Sequence, residues 1–141
     1  RGKIGTNGTA APGDRLRQLQ SKTEVLVLAA DVADAEAMSG AVRTAEARFG
    51  QIHGVFHCAG TLDDGLILTK TQESMERVLR PKVTGALVLD EVFARRPLDF
   101  MVFYSSVSAW LGLPGQVDYA AANAFLDALA RRASHHRSWP V

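Results

Sequence analysis

The sequence has little of what marks secreted, zinc-binding or membrane proteins. A single cysteine, Cys58, among 141 residues excludes an internal disulfide and is too few for a structural zinc site. The longest uninterrupted apolar run, residues 25–30, is six residues long, whereas a membrane-spanning helix needs about twenty. No secretory signal pattern opens the chain. These absences predict a cytoplasmic protein without a membrane partner.

An excess of charge of either sign is also missing. The 16 Lys and Arg residues oppose 15 Asp and Glu residues, so the formal net charge is +1, and the basic residues are scattered along the chain. This distribution excludes the basic surface typical of proteins with a nucleic-acid partner. Because 47% of the residues are hydrophobic and 22% are charged, the composition predicts a globular domain with its own core.

Three short runs of β-branched, aliphatic and aromatic residues predict strands. The runs lack the alternation of polar and apolar residues seen in half-exposed strands, which is typical of a parallel sheet covered on both faces. The predicted strands span residues 24–30, 52–59 and 100–104. Residues 1–23 precede them as a loop-rich lead-in with one short helix, for which Asp14 is the expected N-cap.

Helical periodicity follows each predicted strand. Asp34 and Gly50 are expected to cap a helix over residues 35–49. The next helix is expected to have two halves, and Pro81 is expected in the first turn of the second half. The predicted helices span residues 35–49, residue 71 or 74 to about residue 94, and residue 117 to about residue 135.

Strand and helix therefore alternate three times over residues 24–141. This order predicts right-handed βαβ crossovers and an α/β, Rossmann-like fold with a doubly wound parallel sheet. In such a sheet ligands bind beyond the carboxyl ends of the strands. Asp31, residues 58–60 and residues 105–106 follow the three predicted strands. We expect them to line one crevice that holds a cofactor.

Four polar residues have spacings that can bring them together. Tyr119 and Asn123 are four apart on a predicted helix, so they project from the same face. Ser106 lies 13 residues before Tyr119 at a strand end, and Lys82 lies 24 residues before Ser106 on the neighbouring helix. An ammonium group near a phenol stabilises the phenolate. The set predicts that Tyr119 is a general acid.

Three motifs surround these residues: PKVTG at residues 81–85, FYSSV at residues 103–107 and GQVDYAAAN at residues 115–123. Together they resemble the ketoreductase domain of type I polyketide synthases, a branch of the short-chain dehydrogenase/reductases. In the wider superfamily a lysine stands four residues after the tyrosine. Here that residue is Asn123, and Lys82 supplies the cation from the preceding helix, which is the exchange that sets the synthase branch apart.

The resemblance implies NADPH-dependent reduction of a β-ketoacyl thioester, presented by an acyl carrier protein on its phosphopantetheine arm, with the other domains of a synthase as partners. Tyr119 would donate a proton to the ketone oxygen, and Ser106 would orient that oxygen. Lys82 would promote the proton transfer and hold the nicotinamide ribose. Asn123 would keep a water molecule or the helix geometry in place for proton resupply.

The resemblance also implies cofactor contacts near the strand ends. Asp31 resembles the residue that contacts the adenine amide, and Cys58, Ala59 and Gly60 resemble the turn beneath the adenine ribose. Arg1 stands about where similar domains place the arginine that pairs with the 2′-phosphate of NADPH. For Asp31, a simple role as a turn or helix cap is an equally good interpretation.

A loop match implies the stereochemistry of the product. Leu62, Asp63 and Asp64 match the loop of ketoreductases that form the D-configured (R) hydroxyl, the B type. Together with Gln116 they are the expected stereocontrol residues. The opposite type typically carries a tryptophan eight residues before the tyrosine, where this chain has Leu111, and Trp110 is one residue out of that position. Ala121 stands where a proline is associated with epimerised α-substituents, which implies the unepimerised subtype.

Other functions are compatible with the same residues. A free-standing reductase acting on a fatty acyl chain or another ketone would have the same crevice. A non-catalytic structural subdomain of a synthase would have the same fold. His53 and His57 lie four apart on a predicted strand, but with Cys58 and no further ligand nearby a metal site is not predicted.

Parts of the expected fold have no counterpart in the sequence. These are the glycine-rich turn that holds a pyrophosphate, the first two strands, and the final strand with its lid. The chain also begins with Arg1 rather than Met. We expect residues 1–141 to be a partial ketoreductase catalytic domain, and we expect that alone they neither bind NADPH tightly nor turn over.

Overall fold

The structure is a computed structural model that describes residues 12–138 and 140–141. Arg1, one of the predicted cofactor residues, lies outside them. A 3₁₀ turn over Ile67–Thr69 follows the first strand. The helices and strands in chain order are α1 (Pro12–Gln20), α2 (Ala35–Phe49), β1 (Gly54–His57), α3 (Gln72–Lys82), α4 (Thr84–Val92), β2 (Phe100–Phe103), α5 (Ser108–Leu111) and α6 (Val117–His136).

The strands β1 and β2 form a two-stranded parallel sheet, which confirms the predicted α/β fold. Gly54 pairs with Phe100 and His57 pairs with Phe103. The chain passes from β1 to β2 through α3 and α4, the crossover that parallel strands require. Each strand is four residues long, shorter than the run from which it was predicted.

The predicted strand over residues 24–30 is wrong. These residues form no strand, and the side chains of Val27 and Leu28 are exposed. An apolar run becomes a strand only where a neighbouring strand exchanges backbone hydrogen bonds with it. Among the described residues β1 and β2 pair only with each other, so the run has no ladder to join.

Capping residues set the helix boundaries. Asp34 caps α2 as predicted, because its side chain accepts hydrogen bonds from two N–H groups of the first turn, and Gly50 ends the helix at φ 79°. Thr71 is the N-cap of α3. Asp14 does not cap α1 as predicted but lies within its first turn, where its charge still favours the helix N-terminus.

Pro81 does not begin a helix, contrary to the prediction. It lies in the last turn of α3, and Val83 separates this helix from α4, which starts at Thr84. Proline has no N–H, so the last turn of α3 lacks one helical hydrogen bond. The interruption leaves Lys82 as the last residue of α3.

Among residues 12–138, two apolar clusters hold the helices in place, and α4 contributes to both. The smaller cluster packs Ala86 of α4 against Leu126 and Leu129 of α6. The larger cluster joins α2, α4 and β2 through Val42, Val88, Leu89, Val92, Phe93, Leu98 and Met101. No helix within residues 12–138 combines the length and apolar character needed to cross a membrane.

Gly85 provides a test of the packing around α4. A Cβ at this position would lie 2.7 Å from Cγ1 of Val32, so Gly85→Ala should destabilise the fold by about 1–3 kcal/mol through overpacking. The matched control is Gly40→Ala in α2, where the nearest atom to the added Cβ is the end of the Arg43 side chain at 3.8 Å. This variant should gain up to about 1 kcal/mol. Urea unfolding measures both changes, and equal stability of the two variants would contradict the packing.

Candidate active site

Lys82 lies where α3, the two strand ends and α6 meet. It is 5% exposed, and its Nζ donates a 2.8 Å hydrogen bond to the backbone carbonyl of Tyr104, directly after β2. The same Nζ lies 5.7 Å from the centroid of the Tyr119 ring. A Cβ on Gly60, after β1, would lie 3.0 Å from Cε of Lys82. The structure therefore brings together Lys82, Tyr119 and the turn that follows β1.

Burial changes the charge properties of Lys82. Loss of solvation lowers the pKa of Lys82 below its ordinary value of 10.5, and the nearby Cys58 opposes this shift. Because the folded chain holds this proton less firmly than the unfolded chain, burying the charged ammonium costs folding free energy at neutral pH. The hydrogen bond to Tyr104 offsets part of that cost. A charge kept in place at a cost is typical of a functional site.

Asn123 is fully buried one turn after Tyr119 on α6. Its Nδ2 donates a 2.7 Å hydrogen bond to the Tyr119 carbonyl, and Oγ of Ser105 donates to the Asn123 carbonyl at 3.3 Å. Oδ1 of Asn123 has no hydrogen-bond partner among the described residues. Buried amide oxygens are nearly always paired, so this atom marks a place that suits a water molecule or a ligand donor.

Ser106 has a partner that the sequence did not indicate. Its Oγ lies 2.7 Å from Oγ of Ser108, and the Ser108 N–H donates to Ser106 Oγ at 3.3 Å. Ser108 is 1% exposed and begins α5, a short helix in a stretch that carries no strong helix signal. The only sequence signal for Ser108 is its position two residues after Ser106. It fixes the Ser106 hydroxyl at the carboxyl end of β2.

His57 is a second buried titratable group beside Lys82. It ends β1, is 3% exposed and packs its ring edge-on against Phe103. Desolvation lowers the pKa of His57 below its ordinary value of 6.5, the charge of Lys82 acts in the same direction, and a hydrogen bond to the backbone of Pro81 opposes both. The imidazole therefore favours its neutral form in the folded chain.

His53 lies apart from this group. It is exposed, and its Nδ1 is 3.1 Å from Oδ2 of Asp99. The two histidines therefore do not form a joint site. In the part of the chain that the structure describes, no group of three or more His, Cys, Asp and Glu residues could hold a metal ion.

Asp31 has one contact within its own turn and one with α3. Its Oδ1 accepts a 2.9 Å hydrogen bond from the N–H of Ala33, and its Oδ2 accepts one of 2.5 Å from Arg80 on α3. The Ala33 contact, followed by Arg80, lowers the pKa of Asp31. This is the geometry of a turn cap, one of the two interpretations open from the sequence. Arg80 is a partner that sequence reasoning missed.

The loop after Gly60 packs against the start of α6. Nε2 of Gln116 donates a 3.0 Å hydrogen bond to Oδ2 of Asp64. The N–H of Gly65 donates to the Gly115 carbonyl at 2.9 Å. Leu62, by contrast, is 61% exposed. Two of the predicted stereocontrol residues, Asp64 and Gln116, therefore form one contact between this loop and the helix of Tyr119, whereas the Asp63 carboxylate is held by Ser74 and Arg77 of α3.

A cavity of about 460 Å³ lies next to the turn of α6 that carries Tyr119. Its walls are mostly apolar, and its lining residues are Gly65, Leu66, Ile67, Gly112, Leu113, Pro114, Gly115, Val117 and Ala120. A larger cavity of about 640 Å³ lies against Glu24 and Arg48 and contains none of the predicted site residues. The smaller cavity is therefore the candidate substrate pocket.

Comparisons with known proteins agree with one another. The family model described as KR domain matches residues 4–138. A phenolphthiocerol/phthiocerol polyketide synthase of Mycobacterium tuberculosis is 39% identical over 139 residues, covering 94% of this chain and 8% of that protein. The 6-methylsalicylic acid synthase of Aspergillus terreus is 54% identical over 84 residues, covering 60% of this chain and 5% of that protein. A ketoreductase domain from the bacillaene assembly line superposes with a TM-score of 0.84 at 39% identity, covering 96% of this chain and 34% of that one. The chain thus spans a small part of these relatives.

The charge of Lys82 should be measurable at His57. Lys82→Met removes the positive charge that disfavours the imidazolium, so the pKa of His57 should rise toward its ordinary value of 6.5. NMR titration of the imidazole resonances measures the shift, with the exposed His53 as the reference resonance in the same spectra. Because the unfolded chain binds the His57 proton more readily than the folded chain, wild-type stability should fall as the pH drops through 6.5. An unchanged His57 titration in the variant would contradict the proximity of the two groups.

Proposed function

The chain belongs to the KR domain family, the ketoreductase domains of polyketide synthases, and from this membership we propose that it reduces the β-keto group of an acyl thioester with NADPH. The observation that carries the proposal is the position of Lys82. Its buried Nζ lies 5.7 Å from the Tyr119 ring centroid and 2.8 Å from the Tyr104 carbonyl. A cation beside a phenol, at the carboxyl edge of a parallel sheet, supports proton donation next to a bound nucleotide.

The polar groups of the site then divide the work of the reaction. NADPH, when bound, supplies the hydride. Tyr119 donates its proton to the ketone oxygen as negative charge develops there, and Lys82 stabilises the phenolate that remains. With Ser108 as donor to Ser106, Ser106 keeps its own O–H to orient the ketone oxygen. Asn123 holds the Tyr119 carbonyl and offers its unpaired Oδ1 to a water molecule on the route that returns the proton.

The residues at the ends of β1 and β2 fit a nucleotide. Gly60 leaves open the space that a Cβ would fill 3.0 Å from Lys82, so a ligand can approach this backbone closely. The ammonium of Lys82 has three N–H donors and uses one on Tyr104, which leaves donors for ribose hydroxyls. Cys58, Ala59 and Gly60 would pass beneath the adenine ribose.

Two further cofactor contacts are proposed from the resemblance. Asp31 would contact the adenine amide through the lone pairs that Ala33 and Arg80 do not use. Arg1 would pair with the 2′-phosphate, the group that distinguishes NADPH from NADH. Both contacts concern affinity for the cofactor rather than the proton transfer.

The substrate would arrive on the phosphopantetheine arm of an acyl carrier protein, with the other domains of a synthase as neighbours. The apolar cavity beside α6 would take the acyl chain. The loop residues Leu62, Asp63 and Asp64, together with Gln116, would orient the chain so that the D-configured (R) hydroxyl forms. The contact between Gln116 and Asp64 supports this assignment because it places the loop against the helix of the proton donor.

Tyr119→Phe, made in the complete polypeptide that contains residues 1–141, tests the role of the phenol. We expect kcat for β-keto reduction to fall by about 100-fold or more, because the proton donor is lost, while NADPH affinity is retained. Fixed-time assays of the hydroxyacyl product measure kcat, and fluorescence titration measures the affinity for NADPH. The matched control is Tyr104→Phe, which removes the chain's only other phenol and leaves the carbonyl that holds Lys82. Full turnover by Tyr119→Phe would contradict the proposal.

The form of the substrate separates the proposal from a free-standing reductase. We expect kcat/KM to be higher for a carrier-bound β-ketoacyl thioester than for an unrelated free ketone, because carrier delivery raises the local substrate concentration. Parallel assays of the complete polypeptide that contains residues 1–141, with the carrier-bound thioester and with the free ketone, measure the difference. Equal kcat/KM for the free ketone would favour the free-standing enzyme, and no reduction of either substrate would favour a structural subdomain.

A further inference from the structure

A buried ion pair joins the loop before α3 to the first turn of α6. Nζ of Lys70 lies 2.6 Å from Oδ2 of Asp118, and both side chains are 2% exposed. The other ion pairs that the structure shows between side chains of the described residues are all more exposed than this one. Asp118 immediately precedes Tyr119, and its Oδ1 accepts a 2.9 Å hydrogen bond from the Tyr119 N–H.

Lys70 also binds the stereocontrol loop. Its Nζ donates to the backbone carbonyl of Asp63 and, at 3.5 Å, to Oγ of Ser74. The carboxylate of Asp63 is held in turn by Ser74 at 2.8 Å and by Arg77 at 2.7 Å. Arg77, followed by Ser74, lowers the pKa of Asp63. One ammonium group thus connects the Asp63 backbone to the carboxylate beside the proton donor.

Fold stability alone gives little reason for this arrangement. Removing two charges from water is costly, and an apolar pair of similar volume often stabilises a buried position as well or better. What an ion pair with several oxygen acceptors provides is direction, because each hydrogen bond restricts distance and angle. Lys70 therefore fixes the loop relative to α6 in a way that apolar packing would not.

We propose that Lys70 is a positioning residue that sets the stereochemical outcome of the reduction. By holding Asp63 against Asp118, it fixes the distance between the loop that orients the acyl chain and the Tyr119 phenol. The bound acyl chain can then present only one face of its ketone to the hydride donor. This inference rests on the proposed function and adds to it a specificity-determining residue outside the set of groups that contact the substrate.

The test uses Lys70→Met, Asp118→Asn and the double variant in the complete polypeptide that contains residues 1–141. Each single variant removes one charge and leaves its partner buried, whereas the double variant leaves neither, so the melting temperature should fall in the single variants and recover in the double variant. Asn at position 118 can still accept from the Tyr119 N–H through its side-chain oxygen. Two measurements distinguish a stereochemical role from a purely structural one. They are the ratio of the two 3-hydroxyacyl enantiomers, determined by chiral chromatography, and the separate changes in KM and kcat.

The double variant should fold like the wild type and yet lose stereochemical fidelity. We expect the ratio of major to minor enantiomer to fall about tenfold, which corresponds to about 1.4 kcal/mol of lost discrimination, with KM rising more than kcat falls. Recovery of both the melting temperature and the enantiomer ratio in the double variant would show a structural role only and overturn the proposal. An unchanged ratio in Lys70→Met would overturn it as well.

Asp90→Asn provides the matched control. It weakens the ion pair between Asp90 and Arg137, at 2.7 Å and about one-fifth exposed, away from the loop and from Tyr119. The variant should lower the melting temperature and leave the enantiomer ratio unchanged. An equal loss of fidelity in Asp90→Asn would attribute the effect to general destabilisation and overturn the role of Lys70.

Hydrogen exchange separates this inference from the proposed function. In the double variant the N–H of Gly65 should exchange faster, while the amides of α2 keep their protection. If the wild type reduces no β-keto substrate, the proposed function fails, and with it the stereochemical role. If the wild type is active but neither the exchange of Gly65 nor the enantiomer ratio changes, only the role of Lys70 fails.

Discussion

The buried ammonium of Lys82 is the interaction on which the rest of the site depends. A charge at 5% exposure needs an oxygen partner, and the Tyr104 carbonyl provides it only because β2 ends at this point. The position of β2 is fixed by its pairing with β1, and the position of Lys82 is fixed by the end of α3 before Val83. The hydrogen bond between Lys82 and the Tyr104 carbonyl therefore depends both on the pairing of the strands and on where α3 ends, and it lies next to the Tyr119 ring.

Two kinds of packing have different tasks in this structure. Apolar contacts of α4 with α2, β2 and α6 hold the elements together, and such contacts are not directional. Around the first turn of α6 the contacts are polar, among them Lys70 with Asp118 and Gln116 with Asp64. Directional bonds fix a loop more closely than apolar contacts do. The polar network therefore lies where orientation matters, beside the candidate substrate pocket.

Local signals predicted some elements well and others not at all. The bounds of α2 follow from Asp34 and its 3.6-residue periodicity, because capping and amphipathic spacing are local properties. The run over residues 24–30 is rich in β-branched and aliphatic residues and still forms no strand, because a strand needs a partner strand and local propensity does not supply one. Pro81 shows the same limit, since proline suits a helix start by local rules and here lies in a last turn.

By itself the sequence determined the α/β class, the helix of Tyr119 and Asn123, and the motifs that identify the family, because periodicity and residue spacing are written along the chain. Only the tertiary structure decided which groups meet. Neither capping nor periodicity predicted that Ser108 would lie beside Ser106, Arg80 on Asp31, or Lys70 between Asp63 and Asp118. The contacts of Arg80 with Asp31 and of Lys70 with Asp118 each join side chains about fifty residues apart, because packing brings separate segments together and polar side chains then pair with whichever partner burial leaves in reach.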